Sequence, residues 1–521
     1  MPNQGDPRFD STVSPISCQA GIKRDGTVLD GNFYADGTWC RFRLGRPKKM
    51  GGYREITHGL NGPIRGLYVY SKRPQQIVYT FSGQGIQCSL VDDNGVGSFS
   101  YDRTPAGFAA SDIYLWQYDV LFDATGGNGA IIAHPGQNLN GFDQSNVNSI
   151  YFGDVLATGA LVDTTGPQVS GGIVVLQPFL FAYGDNGLIQ NSEPNKPGTW
   201  TGTGGSNTAH VSGTKVVMGL PLRGGSASPA GLFWSLDSLI RVTFVGGTAK
   251  WNYDTLTTES TILCANGVID YDGVYYWAGI DRFLMYNGVV KEVPNLMNQD
   301  FFFDNLNFAH RQKVWVTKIS RWGEIWWFFP RYPATECNWA IVYNVREGSW
   351  YDTPIARSAG YPARVLAFPV WADSSAATLS GTAPYRIYRH EFGQDAITGE
   401  DQLAIDSFFE TSQIGFASGG QAGGNTPAPN VQTRAIRMEP DFIQTGDMTV
   451  SVKGGAQARD ATNQGGNMTA IPFASTDALV DLPSPLNQKR MMTVRFDSNT
   501  LGGNYHMGKV LLHLEPGDSR S

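Results

Sequence analysis

Charged residues are scarce in this chain. Asp, Glu, Lys and Arg make up 16% of its 521 residues, well below the usual share of about a quarter. The formal net charge is −7, so the chain as a whole is not a polycation that neutralises phosphate groups. So little charge on so long a chain indicates that neighbouring subunits cover part of its surface. A Gly-rich β protein would show the same scarcity, and this alternative stays open.

Cysteine is also sparse, and no segment has the pattern of a targeting or membrane-spanning sequence. The five cysteines are scattered and form no CxxC pair, so neither a disulfide framework nor a zinc knuckle is indicated. The first residues lack a basic start followed by an apolar run, so we expect no signal peptide. No apolar run approaches the length of a membrane span. We therefore expect a chain that is made and kept, or assembled, in a cytosol.

Recognisable catalytic motifs are missing as well. The sequence has no P-loop, no HExxH, no GxSxG, and no GxGxxG between a strand and a helix. None of the seven histidines has metal-ligand spacing to another: His58, His134, His210, His310, His390, His506 and His513. The sequence therefore predicts no catalytic residue, no cofactor and no metal site. Two carboxylates from distant segments could still meet as a glycosidase pair.

Glycine and aromatic residues are plentiful, with 63 glycines and 12% Phe, Trp and Tyr. Segments starting at Gly172, Gly231, Gly273 and Gly323 each have an aromatic strand, a polar break, a second strand and a Gly-containing turn. Their aromatic centres lie roughly 40 to 55 residues apart, the period of a four-stranded propeller blade. This spacing predicts an all-β fold with a β-propeller of roughly six to seven blades. A multi-sheet β-sandwich is the alternative.

The stretch 267–352 is the clearest example of this pattern. It predicts two consecutive blades with a short helix within 294–311 between them, and its tryptophans and tyrosines are expected to pack between blades. The remaining predicted boundaries follow from composition. Residues 1–53 form an N-terminal arm and a strand leading into the propeller at 54–417, residues 418–430 form a linker rich in Gly and Pro, and residues 431–521 form a small β-sandwich.

A basic segment lies near the end of the predicted arm. Trp39, Arg41 and Arg43 alternate with Cys40 and Phe42, a pattern typical of a strand with one apolar and one cationic face. Five cations form the candidate site: Arg41, Arg43, Arg46, Lys48 and Lys49. They belong either to a solvated edge strand or to an interface strand that docks an acidic neighbour or DNA.

Three stretches resemble one protein family. They are DGNFYADGTWCRFRLGRPKKMGGY at 30–53, NWAIVYNVREGSWYD at 338–352 and MMTVRFDSNTLGGNYHMGKVLLHLEPGD at 491–518. The first is similar to the opening of phage tail proteins, in which a strand that ends in an Arg-Pro-Lys turn, followed by Gly-Gly-Tyr, leads into a propeller. The other two are similar to late blades and C-terminal strands of the tail hub, or nozzle, proteins of short-tailed bacteriophages. These are also called packaged-DNA stabilisation proteins.

The resemblance implies a structural virion protein rather than an enzyme. Such proteins form a hexameric ring below the portal and its adaptor, extend the DNA channel, retain packaged DNA until ejection, and support tail fibres or spikes. The implied location is the virion tail, assembled in the host cytoplasm, with genomic DNA passing through the lumen without sequence recognition. The mild negative charge agrees with DNA that slides rather than sticks. The alternative is a receptor-binding tail protein whose β-propeller binds or cleaves carbohydrate.

Overall fold

The structure is a computed structural model. It describes residues 12–27, 32–72, 74–108, 110–122, 129–136, 149–164, 167, 169–222, 229–374, 385–414, 432–455, 470–482, 488–489 and 491–516. The predicted linker at 418–430 lies outside these ranges. Within them the chain consists of β-strands, one α-helix and two short 3-10 segments, so the all-β prediction is confirmed. No helix in the described ranges is both long and apolar enough to cross a bilayer.

Seven short strands come first: β1 (Thr12–Pro15), β2 (Gln19–Ile22), β3 (Phe33–Tyr34), β4 (Asp36–Thr38), β5 (Cys40–Arg43), β6 (Arg46–Lys49) and β7 (Tyr53–Thr57). Three antiparallel sheets follow, each with four consecutive strands. Sheet 1 contains β8 (Ile64–Tyr70), β9 (Gln76–Ser82), β10 (Gly85–Val91) and β11 (Gly97–Asp102). Sheet 2 contains β12 (Gln117–Phe122), β13 (Gly129–His134), β14 (Ile150–Asp154) and β15 (Val162–Thr164). Sheet 3 contains β16 (Gly172–Leu176), β17 (Phe179–Tyr183), β18 (Leu188–Asn191) and β19 (Asn207–His210).

Sheets 4 to 6 repeat this plan. Sheet 4 contains β20 (Val216–Pro221), β21 (Ala230–Ser235), β22 (Leu239–Gly246) and β23 (Lys250–Thr257). Sheet 5 contains β24 (Val268–Tyr271), β25 (Val274–Ala278), β26 (Phe283–Tyr286) and β27 (Val290–Glu292). After helix α1 (Gln299–Asn305) and a 3-10 segment (Phe308–Lys313), sheet 6 contains β28 (Trp315–Ile319), β29 (Glu324–Phe329), β30 (Trp339–Asn344) and β31 (Ser349–Pro354). The stretch 267–352 therefore forms two four-stranded sheets with a short helix between them, as the sequence predicted.

Sheet 7 combines strands from both ends of the chain. It contains β32 (Arg357–Tyr361), β33 (Val370–Asp373), β34 (Ile387–His390), β35 (Asp395–Thr398) and β36 (Asp401–Ala404), and β7 lies between β34 and β35. Strand β7 runs antiparallel to β34, with Tyr53 opposite His390. It runs parallel to β35. An early strand thus completes a sheet that the late part of the chain begins.

Three further sheets, here called the terminal sheets, combine the late strands with β1, β4, β5 and β6, whereas β2 and β3 pair separately as a two-stranded parallel sheet. The terminal sheets use β37 (Phe408–Glu410), β38 (Thr433–Glu439), β39 (Phe442–Thr445), β40 (Met448–Gly455), β41 (Ile471–Phe473), β42 (Val480–Asp481), β43 (Gln488–Lys489), β44 (Met491–Asp497), β45 (Asn504–Met507) and β46 (Leu511–Pro516). Their orders are β1-β46-β38-β42, with β43 also on β38, then β4-β37-β44-β40-β41 and β39-β45-β6-β5. Strands from the predicted arm and the predicted C-terminal sandwich thus share sheets, because the early strands satisfy backbone groups that late edge strands would leave unpaired.

Apolar side chains fill the space between consecutive sheets, and between sheet 7 and sheet 1. Trp234 of sheet 4 and Trp277 of sheet 5 are both buried, with ring centroids 5.7 Å apart. Val370 of sheet 7 belongs to the same apolar cluster as Leu67 of sheet 1. Each sheet therefore buries both faces against its neighbours, which a single four-stranded sheet cannot do alone.

The first strands of the seven sheets border one cavity of about 210 Å³. One lining residue from each strand marks it: Gly66, Tyr118, Val174, Gly219, Val268, Val316 and Gly360. At Gly360 an added Cβ would lie 2.4 Å from the Trp371 ring, and at Gly219 it would lie 2.9 Å from Phe233. Glycine at these positions allows large aromatic side chains to pack against the lining strands.

Gln117 joins three sheets beside this cavity. From β12 of sheet 2, its amide nitrogen donates to the carbonyl oxygens of Gly171 (3.4 Å) and Val217 (3.2 Å). Its amide oxygen accepts from the Ile173 N–H (3.0 Å) and the Tyr183 hydroxyl (2.6 Å). Because this side chain is buried, each of these bonds replaces one that water would otherwise supply.

Replacing Gln117 with Leu should lower the free energy of unfolding by about 3 kcal/mol, since buried donors and acceptors lose their partner. Urea unfolding measures this change. The matched control is Gln84→Leu in an exposed turn, which should change stability by no more than about 0.5 kcal/mol. Equal effects of the two substitutions would contradict the bridging role of Gln117.

His390 sits at the junction of β7 with β34. Its Nε2 accepts a hydrogen bond from the Arg357 Nε at 3.0 Å, which requires a neutral ring. The ring also packs on Trp371, with centroids 4.0 Å apart. Burial, together with the Arg357 charge, holds the pKa of His390 well below its ordinary value. The His390 ring therefore stays neutral in the folded chain at a pH where the same ring binds a proton in the unfolded chain.

This junction should make stability fall on mild acidification. Below about pH 6.5 the unfolded His390 gains a proton that the folded one excludes, so it removes up to about 1.4 kcal/mol of unfolding free energy per pH unit. We expect His390→Gln to show a smaller loss of stability than the wild type between about pH 7 and pH 5. Buried His134, whose pKa is lowered to about 3 mainly by burial, is present in both proteins and cancels in the comparison. Identical pH profiles would contradict the prediction.

Candidate functional site

The five cations of the candidate site lie on a hairpin rather than on one strand. Strands β5 and β6 pair antiparallel, with Arg43 opposite Arg46. Leu44 and Gly45 form the two-residue turn, with φ values of 53° and 75°. The Arg-Pro-Lys turn that the family resemblance implies is therefore wrong for this chain, because Arg46–Lys49 is the second strand. Glycine at position 45 accepts the left-handed backbone that such a short loop requires.

The structure divides these five residues between the interior and the surface. Arg41 and Lys49 are buried, Arg43 is exposed, and Arg46 and Lys48 are half-buried. The Lys49 ammonium donates to the Ser498 carbonyl oxygen at 2.9 Å, and burial lowers the pKa of Lys49 to about 8. Alternation along the sequence does not predict this division, because the interior here accepts two cations.

Arg41 is the centre of a buried ionic network. Its guanidinium, 1% exposed, donates twice to the Glu391 carboxylate at 2.7 Å and once to Glu324 at 3.2 Å. Glu324 also accepts from the Tyr351 hydroxyl at 2.6 Å and the Trp326 indole N–H at 3.0 Å. Since Glu324 begins β29 of sheet 6 and Glu391 follows β34 of sheet 7, this network fixes the hairpin to both sheets.

The two carboxylates respond differently to the same guanidinium. Burial raises the pKa of Glu324, and Arg41 offsets this only in part. Burial also tends to raise the pKa of Glu391, but Arg41 outweighs it and the pKa lies below its ordinary value. Glu391 is therefore the more firmly ionised partner of Arg41.

Several cations lie around the ring of Trp322, on the outer side of this network. It lies in the turn between β28 and β29, and its indole N–H donates to Glu391 at 2.7 Å. The charged groups of Arg43, Lys48 and Arg321 lie 5.3, 5.9 and 4.9 Å from its ring centroid. Such distances are those of cation–π contacts. We call Trp322 and these three cations the Trp322 cluster.

The cations of the Trp322 cluster repel one another. Within the described part of the chain, Arg43, Lys48 and Arg321 have no carboxylate at ion-pair distance. Burial lowers the pKa of Lys48, and the charges of Arg41, Arg43 and Arg321 lower it further. The neighbouring His506 has its pKa lowered mainly by burial, and the charges of Lys48, Arg43 and Arg46 lower it as well. A bound anion would relieve this repulsion, so the cluster is suited to carboxylate or phosphate groups.

We find no candidate metal-binding site in the described ranges. They contain no group of three or more His, Cys, Asp or Glu side chains placed to hold a metal ion. The turn carboxylates also have local structural contacts. Asp270, for example, accepts from the Gly273 N–H at 3.0 Å, as Asp does in tight turns.

The cavity between the seven sheets is too small for a nucleic acid duplex. Its volume of about 210 Å³ lies below the roughly 300–1,000 Å³ of ordinary small-molecule pockets. A DNA major groove alone is about 12 Å wide. Any channel for DNA would have to form between copies of the chain.

Comparison with known proteins adds no assignment. No family model matches the chain, and no curated protein matches it. The candidate site therefore depends on geometry and charge.

Several residues of this site escaped sequence reasoning. Trp322 and Arg321 lie more than 270 positions from the hairpin, and no local periodicity connects the two segments. One signal was present at Glu324, a single carboxylate at the start of the apolar run IWWFF. A buried carboxylate needs a cationic or hydrogen-bonding partner. Glu324 therefore indicated that a cation from a distant part of the chain would be buried beside it.

Arg41 and Arg43 provide a matched pair of variants on one strand. Arg41→Met should lower the free energy of unfolding by about 3–5 kcal/mol, since it leaves buried carboxylates without their counter-charge. Arg43→Met removes an exposed cation and should change it by no more than about 0.5 kcal/mol. Urea unfolding of both proteins decides the matter. Comparable losses of unfolding free energy in the two variants would contradict the stabilising role of Arg41.

Proposed function

We propose that the seven sheets are the blades of a closed seven-bladed β-propeller and that the chain is a structural tail protein of a short-tailed bacteriophage. In this proposal it is a hub, or nozzle, subunit. Six copies form a ring that continues the DNA channel below the portal and adaptor, retains packaged DNA and supports fibres or spikes.

The propeller part of this proposal is supported by the packing of the sheets. Sheet 7 packs on sheet 1, and all seven first strands border one cavity. Strand β7 completes sheet 7 from the opposite end of the chain. A ring of blades closed in this way has no free end from which it could open, which suits a particle under internal pressure.

The observation that most supports a scaffold role is the Trp322 cluster on its rigid base. The cluster presents unpaired cations at the surface, and the Arg41 network fixes that surface to sheets 6 and 7. A docking surface held in this way can transmit force between subunits without local rearrangement. The axial cavity cannot admit DNA, so the proposed channel lies between copies joined through such surfaces.

The sequence resemblance maps onto both parts of the structure. The stretch 338–352 covers β30 and the start of β31 in sheet 6. The stretches 30–53 and 491–518 supply strands that pair directly, as when β6 pairs with β45. The resemblance thus supports the propeller and the terminal sheets together as one assembly unit.

Particle size tests this proposal. Purified protein, alone and mixed with the head-to-tail adaptor ring, should give particles of six subunit masses by mass photometry and six-fold rings by negative-stain electron microscopy. A protein that stays monomeric even with the adaptor, and that binds or cleaves host glycan on an array, would contradict it and support the carbohydrate-binding alternative.

A further inference from the structure

We propose that the turn Leu44–Gly45 of the hairpin inserts Leu44 into a second copy of the chain. This inference rests on the proposed ring. It deepens that proposal by naming the contact and by fixing the orientation of neighbouring copies. Three independent observations support it: the exposure and backbone of Leu44, the clamp on the turn, and the charges around it.

Leu44 is an unusual residue for its position. Its side chain is 78% exposed, and its φ of 53° lies in the left-handed region. Positive φ at both turn residues defines the hairpin turn that favours Asn, Asp or Gly at the first position. A bulky residue with this backbone is strained. Asn would therefore fold better here, so folding alone does not account for the leucine, and such outliers point to a function.

Hydrogen bonds to a neighbouring sheet hold the Leu44–Gly45 turn in one conformation. The carboxylate of Glu347, in the turn between β30 and β31, accepts from the Leu44 N–H at 2.7 Å and from the Gly45 N–H at 2.9 Å. Sheet 6 thereby fixes the direction in which Leu44 projects. A preformed contact loses less conformational entropy on binding than a flexible one.

The chemistry around Leu44 fits a protein partner rather than DNA. Arg43 and Arg46 flank it on the paired strands, and the Trp322 cluster lies beside Arg43. Phosphate recognition would use the cations and gain nothing from an exposed leucine. An apolar anchor surrounded by charged residues has instead the form of a protein–protein contact with a buried centre and a polar rim.

The charges of the chain favour a second copy as the partner and a head-to-tail orientation of the two copies. The Trp322 cluster is cationic throughout, so two such surfaces cannot face each other across a two-fold axis without repulsion. The whole chain has a net charge of −7 and the three cations of the cluster contribute +3, so the rest of the chain has a net charge of −10. The contact should therefore be head-to-tail, with Leu44 entering an apolar pocket rimmed by carboxylates on the next copy. Repeated head-to-tail contacts close into a ring when the rotation between neighbouring copies closes, as the proposed six-fold assembly requires.

Leu44→Asn tests this contact because its two expected effects have opposite signs. The turn becomes more favourable, so Tm should rise by about 1–2 °C at a dilution where both proteins are monomeric. Ring assembly, followed by mass photometry over a concentration series, should weaken by about tenfold or more. The double variant Arg43→Glu with Lys48→Glu should weaken assembly as well, and more salt should weaken the wild-type ring.

Leu296→Asn is the matched control, since Leu296 is 81% exposed and lies outside the hairpin. It should leave assembly within about twofold of the wild type. Wild-type rings that persist unchanged in Leu44→Asn would overturn this inference and leave the proposed function standing. Failure of the wild type to form rings, even with the adaptor, would overturn the proposed function itself. Intact rings with reduced binding of a random-sequence DNA duplex in the charge variant would make DNA the occupant and also overturn the inference.

Discussion

The buried guanidinium of Arg41 is the interaction on which the rest of the candidate surface depends. It joins an early hairpin to Glu324 in sheet 6 and Glu391 beside sheet 7. Removing three charged groups from water is unfavourable unless they meet in good geometry with their remaining bonds satisfied. Tyr351, Trp326 and Trp322 provide those bonds. The network therefore forms only when three distant parts of the chain are correctly placed, and it then holds the exposed face of the hairpin in one orientation.

Contacts between segments that are distant in sequence hold this fold together. Strand β7 enters sheet 7 from the N-terminal side, β1 pairs with β46 near the other end of the chain, and Gln117 bridges three sheets. The pairings of β7 and β1 cover strand edges that would otherwise be free, and Gln117 links sheets 2, 3 and 4. A chain built in this way can present a strained turn and unpaired cations, because their unfavourable energies are small beside the packing that surrounds them. The cavity between the seven sheets is correspondingly small, about 210 Å³.

The sequence predicted what local pattern determines. Aromatic runs bounded by Gly and Asn identified the two sheets at 267–352 and the all-β class, because strand formation depends on alternation and turn residues. It could not predict pairings across hundreds of residues, such as that of β7 with β34, since neither strand specifies its partner. Alternation also placed Arg41 on a polar face, whereas its carboxylate partners make the interior its favourable location. The turn at Leu44 was missed because leucine is a poor residue for it, and that mismatch is the main observation behind the proposed contact.

The most direct measurement is a cryo-electron microscopy reconstruction of the purified protein assembled with its adaptor ring. The account predicts a six-fold ring of seven-bladed propellers, with the Leu44 side chain buried in the neighbouring subunit and carboxylates of that subunit facing Arg43 and Lys48. A ring whose subunit contacts leave this hairpin in solvent would contradict the docking role. A monomeric particle would contradict the proposed function as a whole.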